Sequence, residues 1–335
     1  MKMIVLMSLL QICTVFTKSI ECLGRQKVGV DNLRLFNNSV MDSLRDNLEK
    51  IPSTDDGIKK LYSIFNSIDF YSMPIIRFYI DKGTFVIRGR INLRGEDYNC
   101  ISDLSYPPVG CCKEYGRANI PYHPMFYCCS FPSDYDAPIP RYITLLETSK
   151  FVKDNETIGI ERITFSRWDV IDRLNLLALP FSKSYKRSIK DIQQIQKEWE
   201  KESKKGRVNK RALEIVEYMS KEIASQKEDN ISYFKVAHFI YFLLYINDKT
   251  KGADGIIYPS VAADGEGFNI ALKPKSVDNK LSFSKAALCY HVKDCMESTL
   301  YGVNHSIATN QNGILIYIPD DYFDFNICNG YRFIN

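Results

Sequence analysis

Side chains that bind anions or stabilise positive charge stand near the ends of segments with strand-forming sequence. Arg88 and Arg90 close a stretch rich in β-branched and aromatic residues, and Glu147 lies in a stretch with helical periodicity. Ser260 follows a strand-like run that includes Tyr258. A guanidinium group binds anions through paired N–H groups, and a carboxylate stabilises developing positive charge. The residue types therefore indicate a pocket for a phosphorylated or otherwise anionic ligand.

Each of these residues also has an ordinary structural explanation. An arginine at a strand end is commonly a solvated charge, and a glutamate on an amphipathic helix commonly lies on the surface. A serine after a proline, such as Ser260, commonly belongs to a turn or caps a helix. Taken from residue types alone, both interpretations stay open.

The elements that would position these residues alternate irregularly between strands and helices. Strand-like composition predicts strands at residues 84–91, 124–130, 158–165, 255–258, 268–272 and 314–318. Helical periodicity predicts helices within 37–70, at 141–150, along the stripe Ile189, Ile192, Ile195 and Trp199, along the stripe Leu213, Val216, Met219 and Ile223, and at 233–246. Residues 96–124 are rich in Pro and Gly and are predicted to be a loop. This irregular order predicts an α+β protein rather than a doubly wound sheet.

The chain divides into three predicted regions. Residues 1–26 contain an apolar lead-in that is typical of the start of a signal peptide and too short to span a bilayer. Residues 27–80 are predicted to be an N-terminal helical region, and residues 81–335 the main domain, with a helical insertion at about 183–250. Export through the first segment is one alternative. A cytoplasmic protein is favoured, because the segment lacks an Ala-x-Ala cleavage site.

Charge and composition exclude several classes of protein. The 335 residues are 45% hydrophobic and carry a formal net charge of only +4, so a strong general attraction to nucleic acid is not expected. Residues 183–211 carry a local charge of +7. This basic segment is either a solvated pair of helices or an electrostatic contact for a partner protein or nucleic acid. After the N-terminus no apolar run is long enough for a membrane span.

The cysteines and histidines give little support for a metal or disulfide framework. Ten cysteines include two adjacent pairs and no Cys-x-x-Cys, so the thiols are predicted to be mostly reduced. Cys128 and Cys129 are predicted to be small buried residues of a strand. Of the four histidines, His238 is predicted to pack in the core, and neither a metal site nor a histidine-based catalytic triad is expected. No Rossmann glycine motif and no Walker loop occurs.

Over roughly residues 84–274 the chain resembles the RES-domain family, named for its Arg, Glu and Ser. The matching stretches, in chain order, are Ile87-Arg-Gly-Arg-Ile91, Tyr106-Pro-Pro108, Gly116-Arg-Ala-Asn119, Pro124-Met-Phe-Tyr127, Leu146-Glu147 and Asp254-Gly-Ile-Ile-Tyr-Pro-Ser260, followed by Asn269. The chain departs from the family in a long helical insertion, in its N-terminal helices, and at Ala118, where an aromatic residue is frequent.

The resemblance implies an ADP-ribosyltransferase-like fold, with a split β core, that uses NAD as substrate and needs no cofactor or metal. It implies a toxin that cleaves the nicotinamide–ribose bond by hydrolysis or phosphorolysis, held inactive by an Xre-like antitoxin. ADP-ribosyl transfer to a macromolecule is an alternative, since it would use the same pocket, and so is a non-catalytic interaction protein. A homo-oligomer is also left open.

The resemblance also assigns roles to individual residues. Glu147, Ser260 and Arg88 are the expected catalytic residues, with Glu147 stabilising the positive charge on the ribose. The expected NAD-binding residues are Arg90, Arg117, Asn119, Tyr127, Tyr258 and Asn269. Among these, Tyr127 would contact the nicotinamide ring. Arg117 would either contact phosphate or stabilise a turn.

Overall fold

The computed structural model describes most of the chain from residue 44 onwards. The described residues are 44, 46–68, 76–93, 96–130, 140–154, 156–179, 190–205, 208–225, 227, 229–265, 267–294, 298–308, 313–319 and 331–334. The predicted lead-in at 1–26, the predicted helical residues before 44, and part of the basic segment, including Ile189, lie outside these ranges.

Ten strands of the described residues form one mixed sheet. They are β1 (Ile76–Ile80), β2 (Phe85–Ile91), β3 (Phe126–Ser130), β4 (Gly159–Val170), β5 (Leu174–Ala178), β6 (Gly255–Pro259), β7 (Phe268–Leu272), β8 (Leu281–Lys293), β9 (Ser298–Ala308) and β10 (Leu315–Pro319). Their order in the sheet is β1-β5-β6-β7-β3-β2-β4-β8-β9-β10. The β5–β6 pair is parallel, whereas the other neighbouring pairs are antiparallel.

Helices lie between the strands at irregular intervals. They are α1 (Asp55–Asn66), α2 (Pro140–Thr148), α3 (Lys190–Ser203), α4 (Lys210–Ile223), α5 (Phe234–Tyr241) and α6 (Pro274–Lys280). A π-helical turn, Phe242–Ile246, continues α5. Short 3₁₀ helices occupy Ile101–Leu104, Val109–Cys111, Phe151–Lys153 and Ile231–Tyr233. No helix within the described ranges is long and apolar enough to cross a membrane.

Two of the helices, α1 and α4, begin at a residue whose side chain caps the helix. Thr54 precedes α1, and its hydroxyl accepts a hydrogen bond of 3.2 Å from the backbone N–H of Gly57. Asn209 precedes α4 and accepts an equivalent bond of 3.2 Å from Ala212. One apolar stripe of α3 is buried and includes Ile192, Ile195 and Trp199.

The α+β class predicted from the sequence is confirmed. The described strands form one mixed sheet, and helices pack on it. Ile76–Ile80, within the region predicted to be helical, is instead strand β1 at an edge of the sheet. Strands β5, β8 and β9 and helix α6 were not predicted.

Three residues that were predicted to be buried, Cys128, Cys129 and His238, lie in the core. Cys128 and Cys129 are buried in β3, and both thiols are free. His238 is buried in α5 between two tyrosine hydroxyls, with Tyr62 Oη 3.2 Å from its Nδ1 and Tyr115 Oη 3.3 Å from its Nε2. Burial lowers the pKa of His238 to about 4, so its imidazole is neutral at pH 7.

Candidate active site

The register of three strands places polar side chains in a row across the sheet. Cys129 of β3 pairs with Asn269 of β7, and Asn269 pairs with Tyr258 of β6. Residues directly opposite each other in antiparallel strands lie on the same face. The thiol of Cys129 donates a hydrogen bond of 3.4 Å to Asn269 Oδ1. Tyr127, two positions before Cys129, lies on this face as well.

Helix α2 packs on that face of the sheet, which we call the α2 face. Its close approach is clearest at Gly89 of β2, where an added Cβ would lie 2.6 Å from Thr144 Cγ2. Leu145 of α2 packs in one apolar cluster with Ile87 and Phe165 of the sheet. Glu147 lies in the last turn of α2, close enough to Tyr258 of β6 to interact with it electrostatically.

The Glu147 carboxylate contacts the loop that follows β6. Ser260 is completely buried, and its hydroxyl donates a hydrogen bond of 2.7 Å to Glu147 Oε1. The backbone N–H of Ala262 donates a second bond of 3.2 Å to the same oxygen. Ser260 Oγ also accepts a bond of 3.2 Å from the Ala263 N–H, which orients the hydroxyl. Glu147 is half-buried, and among the described residues nothing donates a hydrogen bond to its Oε2.

The loop between β6 and β7 reaches Glu147 because its backbone turns tightly. Asp264 and Gly265 have positive φ angles of 50° and 82°. Gly267 has a φ of 128°, and a Cβ there would lie 2.1 Å from Ile143 Cδ1 of α2. Only glycine allows this contact between the loop and the helix.

The predicted motif around Gly116 forms a turn that is bonded to β3. The Tyr127 hydroxyl donates a hydrogen bond of 2.7 Å to Asn119 Oδ1 and accepts one of 3.0 Å from the Ala118 N–H. A Cβ at Gly116 would lie 2.2 Å from Asn119 Oδ1. Burial raises the pKa of Tyr127, so its hydroxyl stays protonated and the Tyr127 ring is held in one position.

Arg117 connects this turn to the helical insertion. Its Nη1 donates hydrogen bonds of 2.6 Å and 2.9 Å to the carbonyl oxygens of Ile223 and Ser225, at the end of α4. These contacts satisfy carbonyl groups that a helix end leaves unpaired. Among the described residues its Nη2 and Nε have no hydrogen-bond partner. Arg117 thus joins the turn at Gly116 to the end of α4 through its Nη1, which leaves the other N–H groups of its guanidinium for a ligand.

Electrostatic interactions connect several of the predicted residues. Burial raises the pKa of Tyr258 well above its usual value. The neighbouring Tyr127 and Glu147 raise this pKa further, whereas Arg117 opposes the shift. Glu147 and Ser260 are therefore hydrogen-bonded to each other, and Tyr258 lies close enough to Glu147, Tyr127 and Arg117 to interact with them electrostatically.

The structure does not bring Arg88 and Arg90 into this group. Glycine 89, between them, lies under α2, so their side chains project from the other face of the sheet. Arg88 stacks over the ring of Phe126, with its Cζ 5.3 Å from the ring centroid, and its Nη1 donates a hydrogen bond of 2.9 Å to the Tyr127 carbonyl. Burial, and to a lesser extent Arg90, lower the pKa of Arg88 to about 10. Exposed Arg90 contacts the Asp103 carbonyl and the Tyr98 ring.

Two features of the site were missed from the sequence. The Ala262 N–H that binds Glu147 is a main-chain group, and a main-chain donor leaves no residue-type signal. The contact of Gly267 with Ile143 depends on how a loop packs against a helix far away in sequence. Within the described ranges, no three His, Cys, Asp or Glu side chains are grouped so that they could hold a metal ion.

Comparison with protein-family models and with curated proteins identified no relative of the chain. No protein-family model matches the chain, and no curated protein matches it. Its function therefore has to be inferred from the motifs and from the geometry around Glu147.

Proposed function

We propose that this chain cleaves the nicotinamide–ribose bond of NAD, by hydrolysis or by phosphorolysis. The observation that carries the proposal is the Glu147 carboxylate, held by Ser260 Oγ at 2.7 Å and by the Ala262 N–H at 3.2 Å. A carboxylate held through one oxygen keeps its charge in a defined position and leaves the other oxygen for substrate. Such preorganised charge is what a reaction with a cationic transition state requires.

The chemistry of the reaction fits this site. Breaking the bond between nicotinamide and ribose builds positive charge on the ribose, as in glycoside hydrolysis. Glu147 would stabilise that charge through its second oxygen. Nicotinamide leaves as a neutral base, so the step needs no strong general acid. Ser260 acts here as a positioning residue, because its hydroxyl proton is directed at Glu147.

The cation that best fits the NAD pyrophosphate is Arg117. It interacts electrostatically with Tyr258, which also interacts with Glu147. Its Nη1 is anchored to α4, which holds the guanidinium in place for an anion to approach its other N–H groups. Arg88 lies on the opposite face of the sheet and is a weaker candidate for this contact. The half-buried ring of Tyr127 is available for the nicotinamide ring.

We also propose the finer fold and partner assignments that the motifs imply. The residues of these motifs fall on β2, β3, β6, β7 and α2 and on the turn at Gly116, which supports an ADP-ribosyltransferase-like core. The basic residues that give the segment 183–211 its net positive charge flank α3, which itself carries three Lys against one Asp and three Glu, and none of them belongs to the motifs. They suit the binding of an acidic antitoxin, and such binding would weaken with salt because exposed charges are screened within about 8–10 Å at physiological ionic strength.

The direct test is to incubate the purified full chain with NAD and identify the products by mass spectrometry, in buffers with and without inorganic phosphate. Nicotinamide together with ADP-ribose would indicate hydrolysis. Nicotinamide with phosphorylated ADP-ribose, formed only in phosphate, would indicate phosphorolysis. Intact NAD in both buffers, with a folded protein, would overturn the proposal.

A further inference from the structure

A second group of polar side chains lies on β4, β8 and β9 and includes none of the residues assigned to NAD. Glu161 of β4 is directly opposite His291 of β8, so both side chains lie on one face of the sheet. Ser298 opens β9, the strand that pairs with the end of β8. His291 Nε2 lies 2.7 Å from Ser298 Oγ, and His291 Nδ1 lies 3.8 Å from Glu161 Oε2.

Burial differs along this row in a way that suits catalysis. Glu161 is 3% exposed and His291 is completely buried, whereas Ser298 is exposed to solvent. Glu161 Oε2 and His291 Nδ1 are buried and have no hydrogen-bond partner among the described residues. Leaving such groups unpaired costs free energy, and these two complementary groups are only 3.8 Å apart. A small shift of the imidazole would form an Nδ1–H bond to the carboxylate and leave Nε2 as the acceptor for the serine proton.

The side chains around His291 are apolar, and the ammonium group of the nearby Lys293 is hydrogen-bonded to main-chain carbonyl groups. The ring of Phe151 packs edge-on against the imidazole, with ring centroids 5.1 Å apart. Leu300 of β9 is directly opposite His291. The Lys293 ammonium donates hydrogen bonds to the carbonyl oxygens of Phe151 and Asp154. The row therefore has an exposed hydroxyl, a buried imidazole and a buried carboxylate beside apolar side chains.

We propose that Ser298, His291 and Glu161 form a nucleophilic site that hydrolyses esters of small apolar carboxylic acids. Ser298 Oγ attacks the ester carbonyl while His291 Nε2 takes the hydroxyl proton, and Glu161 stabilises the imidazolium. The bond from the carbonyl carbon to the alkoxide breaks, and His291 gives the proton to the departing alkoxide. Water then attacks the acyl-serine, with His291 again accepting a proton, and releases the carboxylic acid and free Ser298.

No residue pattern predicted this arrangement, and a histidine-based triad was not expected from the sequence. Glu161 and His291 are brought together by the pairing of β4 with β8, and β8 was not predicted as a strand. The spacing of Glu161 and His291 along the chain therefore did not indicate that they lie close together.

The test uses a fluorophosphonate, which reacts with activated serine hydroxyls by replacing fluoride with the serine oxygen. Peptide mapping of the full chain should show the phosphonate on Ser298, and Ser298→Ala should abolish it. Glu161→Gln and His291→Gln should slow labelling by about 10²-fold, the usual contribution of a general base. Ser282→Ala, an exposed serine on β8, should label at the wild-type rate. The same order should hold for hydrolysis of p-nitrophenyl acetate.

Because His291 is buried, the thermal unfolding midpoint of each variant is measured alongside. If His291→Gln fails to fold, the nearly isosteric Glu161→Gln still decides the question. A folded wild-type chain without phosphonate on Ser298 would overturn the proposal. Labelling of Ser298 at equal rates in wild type and folded Glu161→Gln would overturn it as well, because a purely structural contact does not change the nucleophilicity of a serine.

Discussion

The hydroxyl of Ser260 donates a hydrogen bond of 2.7 Å to the carboxylate of Glu147, although the two residues are 113 positions apart. Two close approaches between α2 and its neighbours bring these residues together. Helix α2 approaches the sheet closely at Gly89, and the loop after β6 approaches α2 closely at Gly267. The position of the carboxylate thus depends on two glycines that carry no chemistry of their own.

Removing the Ser260 hydroxyl should weaken NAD cleavage without unfolding the chain. Ser260→Ala leaves Glu147 Oε1 with only the Ala262 N–H and leaves the Ala263 N–H without its acceptor. Hydrogen bonds to charged groups contribute about 1.5–3 kcal/mol, so we expect a loss of roughly 10- to 100-fold in kcat. Ser102→Ala, an exposed serine, is the control. If kcat in Ser260→Ala equals that of the control, the hydroxyl does not position Glu147.

Adding one methyl group at Gly267 should disturb both stability and activity. Gly267→Ala places a Cβ 2.1 Å from Ile143 Cδ1 and demands a φ of 128° from an L-residue. A strained backbone of this kind costs on the order of 1–3 kcal/mol. Gly252→Ala is the matched control, since a Cβ there has nothing within 4 Å. Urea unfolding of both variants measures the difference, and equal stabilities would show that the loop does not pack on α2 as described.

Arg117 should contribute more to NAD affinity than Arg88. Arg117→Lys keeps the positive charge and a donor for the α4 carbonyls but loses the planar fork that suits a phosphate. We expect a loss of affinity of about 10-fold or more, measured by calorimetry in the inactive Glu147→Gln background. Arg88→Ala should have a smaller effect, and exposed Arg211→Ala none. A larger loss in Arg88→Ala than in Arg117→Lys would place the pyrophosphate on the other face of the sheet.

His238 should make the fold less stable in acid. Burial lowers its pKa from 6.5 to about 4 in the folded chain, so between these pH values the unfolded chain binds a proton that the folded chain does not. The free energy of unfolding therefore falls as pH drops from 6.5 towards 4, by up to about 3 kcal/mol from this residue. His238→Gln should remove that part of the pH dependence.

Exposed His123→Gln serves as the control for the loss of a histidine side chain in this measurement. Urea unfolding at pH 7, 5.5 and 4.5 compares the three proteins, and the difference between them isolates His238 from the carboxylates that titrate in the same range. Identical slopes in wild type and His238→Gln would show that folding does not lower the pKa of His238.

Sequence patterns predicted the helices and strands whose own residues have a clear strand-like composition or helical periodicity. Strands β2, β3, β4, β6, β7 and β10 and helices α1 to α5 overlap predicted segments, because composition and periodicity mark them directly. The long strands β8 and β9 escaped prediction, since they interrupt their apolar residues with Ser, Asn, Lys and His. Strand β8 pairs with β4, more than a hundred positions earlier in the chain, and β9 pairs with β8.

The candidate site, too, was predicted from the sequence only in part. The residue types pointed to Glu147 and Ser260, and the structure joins them. Strand alternation put Arg88 and Arg90 on a common face but could not say which face α2 would cover, and the structure puts α2 on the other one. The two functions open for Arg117 could not be separated either, because its contacts with Ile223 and Ser225 join segments more than a hundred positions apart.

The central claim is tested most directly by the rate of nicotinamide release from NAD in wild type and in Glu147→Gln. Glutamine keeps the shape of the side chain and can still accept the bonds from Ser260 and Ala262, but it lacks the negative charge that stabilises the ribose cation. We expect wild type to release nicotinamide and Glu147→Gln to do so about 10²- to 10³-fold more slowly, with an unchanged thermal unfolding midpoint. Release at the wild-type rate by a folded Glu147→Gln variant would contradict the account.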